Sequence, residues 1–216
     1  MVEATLQRRI RLAVEFILLY VGIPMLFIQR ILPPKPIPFL IAISLVTAVL
    51  LVRDAAFEHR YTFVFTAPRD LLILMAKRLL FCAALMVLGT YLIYPELLFA
   101  MLRTRPGIWL AVIVFYPILS VLPQELVYRT FIFHRYRKLF PSDRLRIVAS
   151  GLAFGFVHLL YGNWVAVVLS TIGGFIFAYT YASYRSLFLV SLEHALYGQL
   201  VFTVGLGQFF YSGVLR

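Results

Sequence analysis

Ionisable side chains are few in the second half of this chain, and those that stand inside or beside apolar stretches are Glu125, Arg129, His158, Glu193 and His194. A charged group at bilayer depth costs several kcal/mol, so each of these needs a partner or a purpose. Glu125 and Arg129 are four apart, share a face on a helix and can pair there. Pairing keeps a carboxylate ionised where burial alone would protonate it. Taken alone, a structural ion pair that stitches helices together accounts for the two equally well. His158 adds to them. The stretch Pro141-Ser142-Asp143 is a turn, which makes an antiparallel hairpin of the helices on either side and sets residues equidistant from it at one depth. Glu125 and His158 meet that condition, each roughly 18–20 Å along its helix at 1.5 Å per residue. His194 lies about 12 Å into the last span by the same rise, on a helix parallel to that of His158. A carboxylate and two imidazoles at one height can take a proton from water and either stabilise an oxyanion or hold a metal. Glu193 precedes His194 by one position, about 100° round the helix, so the two cannot point at one spot on a regular helix. An arginine or a polar cavity is its expected partner.

The elements that must position these groups are membrane helices. Of 216 residues, 62% are hydrophobic and 13% charged, with a mean hydropathy of +0.93. A soluble domain carries about 25% charged residues, so a watery surface is excluded. The pattern places spans over 12–29, 37–52, 74–94, 108–122 continuing past Pro123, 147–161, 164–184 and 186–211. The fold class is therefore all-α, a polytopic bundle of about seven or eight membrane helices. No polar linker divides the chain, so 1–216 reads as a single integral membrane domain, with its motif-bearing core at about 108–204. The basic start, Met1 to Leu12, leads into an apolar segment with no small-residue cleavage site, as an uncleaved first helix does.

The net charge of +11 is spread between spans and no nucleic-acid motif appears, so it reads as the positive-inside bias of loops. With the N-terminus in the cytoplasm, the basic residues of the N-terminus, of 53–78, of 129–146 and Arg185 share one side. Arg30, Lys35, Arg103, Arg105 and Arg216 keep the other. The short chain without eukaryotic sorting signals points to a bacterial plasma membrane.

Other residues carry less. Cys82 is alone, so neither a disulfide nor a thiol metal pair follows. His134 sits in a basic interfacial stretch and His59 in a loop, while Glu15 and Glu96 fall near span ends, where snorkelling or loop placement suffices. Gly151 and Gly155, four apart, allow close helix packing. Gly173-Gly174 and Gly205-x-Gly207 lack the strand-turn-helix context of a nucleotide loop.

Three stretches together resemble the CPBP family, the CAAX-processing and bacteriocin-processing intramembrane proteases, also called Abi. Gln124-Glu125-Leu126-Val127-Tyr128-Arg129 is similar to its E-E-x-x-x-R motif, Phe154-Gly155-Phe156-Val157-His158 to its F-x-x-x-H, and His194-Ala195-Leu196-Tyr197-Gly198 to its H-x-x-x-N. Two positions depart: Gln124 replaces the first glutamate, to which the family gives the general-base role, and Gly198 stands where asparagine is frequent. The resemblance implies a membrane endopeptidase, a hydrolase of CAAX-protease type working by a metalloprotease or a metal-free glutamate–histidine mechanism. Glu125 then activates water near the cytoplasmic face, Arg129 orients it, and His158 and His194 stabilise the oxyanion or bind zinc. The implied partners are membrane lipid and a peptide or membrane-associated protein substrate, whose identity the motifs leave open, as they do the oligomeric state. Two other readings stand beside this one. Gln124 and Gly198 favour a catalytically silent scaffold or immunity-type protein of the same fold. Buried Glu and His also serve a proton-coupled transporter, against which the lack of internal repeats counts.

Overall fold

The computed structural model describes residues 2–59, 62, 64 and 66–210. Arg60, Tyr211 and Arg216, used in the span and charge readings above, lie outside them. All regular structure among the described residues is helical. Seven helices are long and apolar enough to cross a membrane: α1 (Leu6–Ile28), α2 (Pro36–Arg53), α3 (Arg69–Ile93), α4 (Pro106–Arg135), α5 (Asp143–Tyr161), α6 (Trp164–Tyr184) and α7 (Leu187–Val204). Each expected span is present, and among the described residues the count is seven.

The bundle is apolar outside and polar within. Large apolar side chains such as Leu45, Leu80 and Leu92 are exposed on its flanks, whereas Glu125, Arg129, Ser150, Glu193 and His194 are buried. This is the arrangement expected where the surrounding solvent is hydrocarbon and polar groups must find partners inside. The protein is an integral, multi-pass membrane protein.

Short capped turns set the order of the last three helices. Ser142 Oγ accepts from Leu145 N–H at the start of α5, Asn163 Oδ1 from Ala166 N–H at that of α6, and Ser186 Oγ from Leu189 N–H at that of α7. Gly162 supplies the left-handed backbone, φ 69°, that joins α5 to α6. These two helices pack backbone to backbone. A Cβ placed on Gly174 would stand 2.9 Å from the Gly151 carbonyl oxygen, and one on Gly155 would run into the Thr171 side chain. The expectation that Gly151 and Gly155 serve packing holds.

One departure from the expected boundaries has a local cause. The last span was expected to run to 211, but α7 ends at Val204 because Gly205 turns to φ 100°. A side chain there would collide with the Leu97 carbonyl, so only glycine fits, and the chain goes on as a 3-10 turn over Leu206–Phe210. Glu15 was expected to snorkel near a span end. Instead it receives Arg135 on both oxygens, at 2.9 and 2.8 Å, and the Tyr136 hydroxyl at 3.1 Å, which fixes α1 to the end of α4. Next to this contact His134 bonds Asp54 at 2.8 Å, and that hydrogen bond holds the Asp54 carboxyl below its usual range.

Candidate active site

The site is built on α4, whose thirty residues hold two prolines in the interior, Pro117 and Pro123. A proline has no N–H to give, and an ordinary helix would kink or break there. Here the chain opens into wide π-helical turns over Pro117–Val121 and Leu126–Phe131 and remains one continuous helix. Three backbone acceptors along this helix are met by side chains from other helices. Pro117 cannot donate to the carbonyl of Ile113, four residues back, and Gln199 of α7 donates to it instead, 3.0 Å away. Within the second wide turn, Val127 O accepts from the Tyr20 hydroxyl of α1 at 2.8 Å, and Tyr128 O from Ser150 Oγ of α5 at 2.7 Å. These bonds fix the segment that carries Glu125 and Arg129.

Both of those side chains are wholly buried. Arg129 Nε lies 3.2 Å from Glu125 Oε2, the four-residue pair expected from their spacing. The guanidinium is also stacked over the Phe154 ring, 4.4 Å from its centre, so an aromatic face takes the place of water on that side. The other carboxylate oxygen, Glu125 Oε1, lies 2.7 Å from His194 Nδ1. A carboxylate only accepts, so Nδ1 carries the hydrogen. His194 Nε2 is 3.1 Å from the Tyr116 hydroxyl. The imidazole is further held by stacking on Phe177, centroids 4.5 Å apart and 19° between planes.

His158 is reached differently. It stands where α5 tightens into a 3-10 turn, His158–Tyr161, and its Nδ1 donates to the Phe154 carbonyl at 2.7 Å. Its partner is therefore its own helix and not Glu125, which the shared depth would have allowed it to face. With the hydrogen on Nδ1, Nε2 of the neutral ring is an acceptor. His158 and His194 both line a cavity of about 780 Å³, whose wall is otherwise mostly apolar and comes chiefly from α3, α4, α6 and α7. Glu125 is not in that wall. Its neighbour Gln124 is, with its amide nitrogen 2.6 Å from Ser120 Oγ. Of the first motif, the amide meets the cavity and the carboxylate lies behind it, touching His194.

Among the described residues, no group of three His, Cys, Asp or Glu side chains is placed to hold a metal ion. Both nitrogens of His194 are engaged, by Glu125 and by Tyr116.

Glu193 points away from this centre, as its position beside His194 requires. It is buried near Arg78 of α3, 3.9 Å from Nη1, and the guanidinium lies over Tyr179. Sequence reasoning missed Tyr116. Thirteen tyrosines are scattered through the chain, and nothing in the spacing of this one sets it apart.

Comparison with known families gives a match that falls on this part of the chain. The family model described as Type II CAAX prenyl endopeptidase Rce1-like matches residues 106–199. No curated protein and no solved structure matches. The matched segment runs from the first turn of α4 into α7 and carries all three motif stretches together with the Glu125–His194 contact. Over residues 106–199 the chain is thus shown to resemble the Rce1-like endopeptidases, in agreement with the CPBP intramembrane-protease family read from Glu125–Arg129, Phe154–His158 and His194–Gly198.

Proposed function

We propose that this protein is an intramembrane endopeptidase that hydrolyses a peptide bond in the cavity between α3, α4, α6 and α7. The observation that carries the reading is the 2.7 Å contact between Glu125 and His194 at the wall of a chamber that His158 also lines. A carboxylate bound to one imidazole nitrogen fixes the tautomer and ring orientation, and stabilises the charge the ring gains when its other nitrogen takes a proton. Glu125 therefore activates water through His194. Water in the cavity gives its proton to His194 Nε2, and the hydroxide oxygen attacks the carbonyl carbon of the substrate peptide. His158 Nε2, the second acceptor on the wall, holds the water in place. The C–N bond breaks as the leaving amine takes the proton back from His194. Arg129 orients Glu125 and offsets its charge throughout. All these steps use protein groups alone.

The family description names prenyl endopeptidases, and a mostly apolar chamber of about 780 Å³ suits a substrate with a lipid-like or apolar segment beside the scissile bond. A membrane-associated peptide is the substrate class proposed. The proposed orientation, which the charge bias supports, has the N-terminus and the 135–146 loop in the cytoplasm and cleavage near that face, and the proposed location is a bacterial plasma membrane.

The test uses purified protein in liposomes with a membrane-associated peptide, prenylated and unprenylated, followed by mass spectrometry of the products. Cleavage by the wild type and its loss in Glu125→Gln, His158→Ala and His194→Ala is the expected result. Equal cleavage by all three variants would end the proposal.

A further inference from the structure

Tyr116 belongs to neither the motifs nor the charged groups, yet it touches the centre of the site. Three polar contacts run in step between the antiparallel helices α4 and α7. Trp109 Nε1 donates to Thr203 Oγ1 at 3.0 Å, Gln199 Nε2 to the Ile113 carbonyl at 3.0 Å, and the Tyr116 hydroxyl meets His194 Nε2 at 3.1 Å. The residues on α4 are three or four apart, so all lie on one face. The third contact falls on the imidazole that Glu125 holds, and Tyr116 lines the same cavity as His158 and His194.

Gly198 explains how the ring reaches that place. A Cβ on residue 198 would overlap Cε1, Cζ and the hydroxyl of Tyr116. Glycine at 198 and tyrosine at 116 are therefore one steric solution: the room that any side chain on 198 would take is filled by the phenol. Position 198 is also where the third motif departs from H-x-x-x-N. The polar group absent from α7 is replaced by a hydroxyl delivered from α4.

We propose that Tyr116 is a catalytic residue, the hydrogen-bond donor that stabilises the oxyanion formed on the substrate carbonyl; this rests on the proteolytic reading above. In the resting site Nδ1 of His194 carries its hydrogen toward Glu125, so Nε2 accepts from the Tyr116 O–H. Nε2 has a single lone pair, so the phenol O–H swings off it before water can give it a proton. The freed phenol hydrogen turns to the substrate carbonyl oxygen and meets the negative charge that appears there as the hydroxide adds. The tyrosine keeps its proton throughout. When the intermediate collapses and Nε2 gives its proton to the amine, the original bond re-forms. Proton acceptance and oxyanion stabilisation are thus coupled through one 3.1 Å contact.

Steady-state cleavage of the membrane-associated peptide by the wild type, Tyr116→Phe, Tyr116→Ala and the double variant Tyr116→Ala/Gly198→Asn tests this. Tyr116→Phe keeps the ring and loses only the donor, so kcat falls by about 10²–10³-fold, as for loss of one oxyanion donor, with KM little changed. Removing the phenol makes room for a side chain on 198, and the double variant, with an amide donor restored from α7, is faster than Tyr116→Ala. If Tyr116→Phe cleaves as fast as an active wild type, or the double variant is no faster than Tyr116→Ala, the role is overturned while the proteolytic reading stands. If the wild type itself does not cleave, both are overturned.

Discussion

His194 Nδ1 and Glu125 Oε1 stand 2.7 Å apart across sixty-nine residues of chain, and both side chains are buried. A bond of this kind serves orientation and charge together, and the two can be separated by substitution. Glu125→Gln keeps the shape and can still accept from Nδ1–H, but it cannot offset an imidazolium. We expect kcat to fall by roughly 10⁴-fold, as when the buried carboxylate behind a catalytic histidine is neutralised, with the thermal unfolding of the detergent-solubilised protein nearly unchanged. A fall in stability in place of kcat would make the contact a structural one.

Arg129 carries its charge in the same enclosed space. With Arg129→Met, Glu125 keeps only His194 as a polar partner, and the expected loss of stability is about 3–5 kcal/mol, as for breaking a buried ion pair from one side. The double variant Arg129→Met/Glu125→Gln removes both charges and should recover most of that loss. Unfolding midpoints in one fixed detergent supply the comparison. Additive losses would mean that the 3.2 Å pair contributes no coupling.

Gln124 presents an amide to the cavity where the resembled motif has a carboxylate. Gln124→Glu would add a proton acceptor at the wall, and the Ser120 hydroxyl at that position can donate to it as readily as it now accepts. General-base assistance is worth about 10²–10⁴-fold, and a rise in kcat near the lower end of that range is expected. An unchanged or lower rate would leave the histidines as the sole acceptors.

The tight contact of α5 with α6 predicts a contrast between glycines. Gly174→Ala forces its methyl onto the Gly151 backbone, 2.9 Å from the carbonyl oxygen, where no side chain can give way. A loss of about 1–3 kcal/mol is expected for overpacking of this kind. Gly89→Ala, near the C-terminal end of α3 with nothing within 4 Å of the added carbon, should be neutral or gain up to about 1 kcal/mol from helix propensity. Both values come from the same unfolding assay. A Gly174→Ala protein as stable as wild type would show that the two helices are free to move apart.

The sequence by itself determined the class of the molecule and the order of its spans. Long apolar runs, proline-marked turns and the scarcity of charge leave a helical membrane bundle as the only economical solution, because backbone polar groups in hydrocarbon must be satisfied within the segment. It also picked out Glu125, Arg129, His158 and His194, since an ionisable group in such a run stands out against its surroundings. What it could not assign was who touches whom. Periodicity reports which face of a helix a residue occupies, and it put Glu125 and Arg129 together for that reason. It does not report how that face is turned once prolines open the helix into wide turns, nor what a neighbouring helix brings to it. Only the packed structure decided that Glu125 meets His194 and sits behind the cavity wall while Gln124 faces the chamber. The same packing gave His158 its own backbone carbonyl as partner. Tyr116 is the extreme case: one aromatic among many in the sequence, it acquires its place because a glycine on another helix leaves room for its ring, and no local pattern records a vacancy on a distant element.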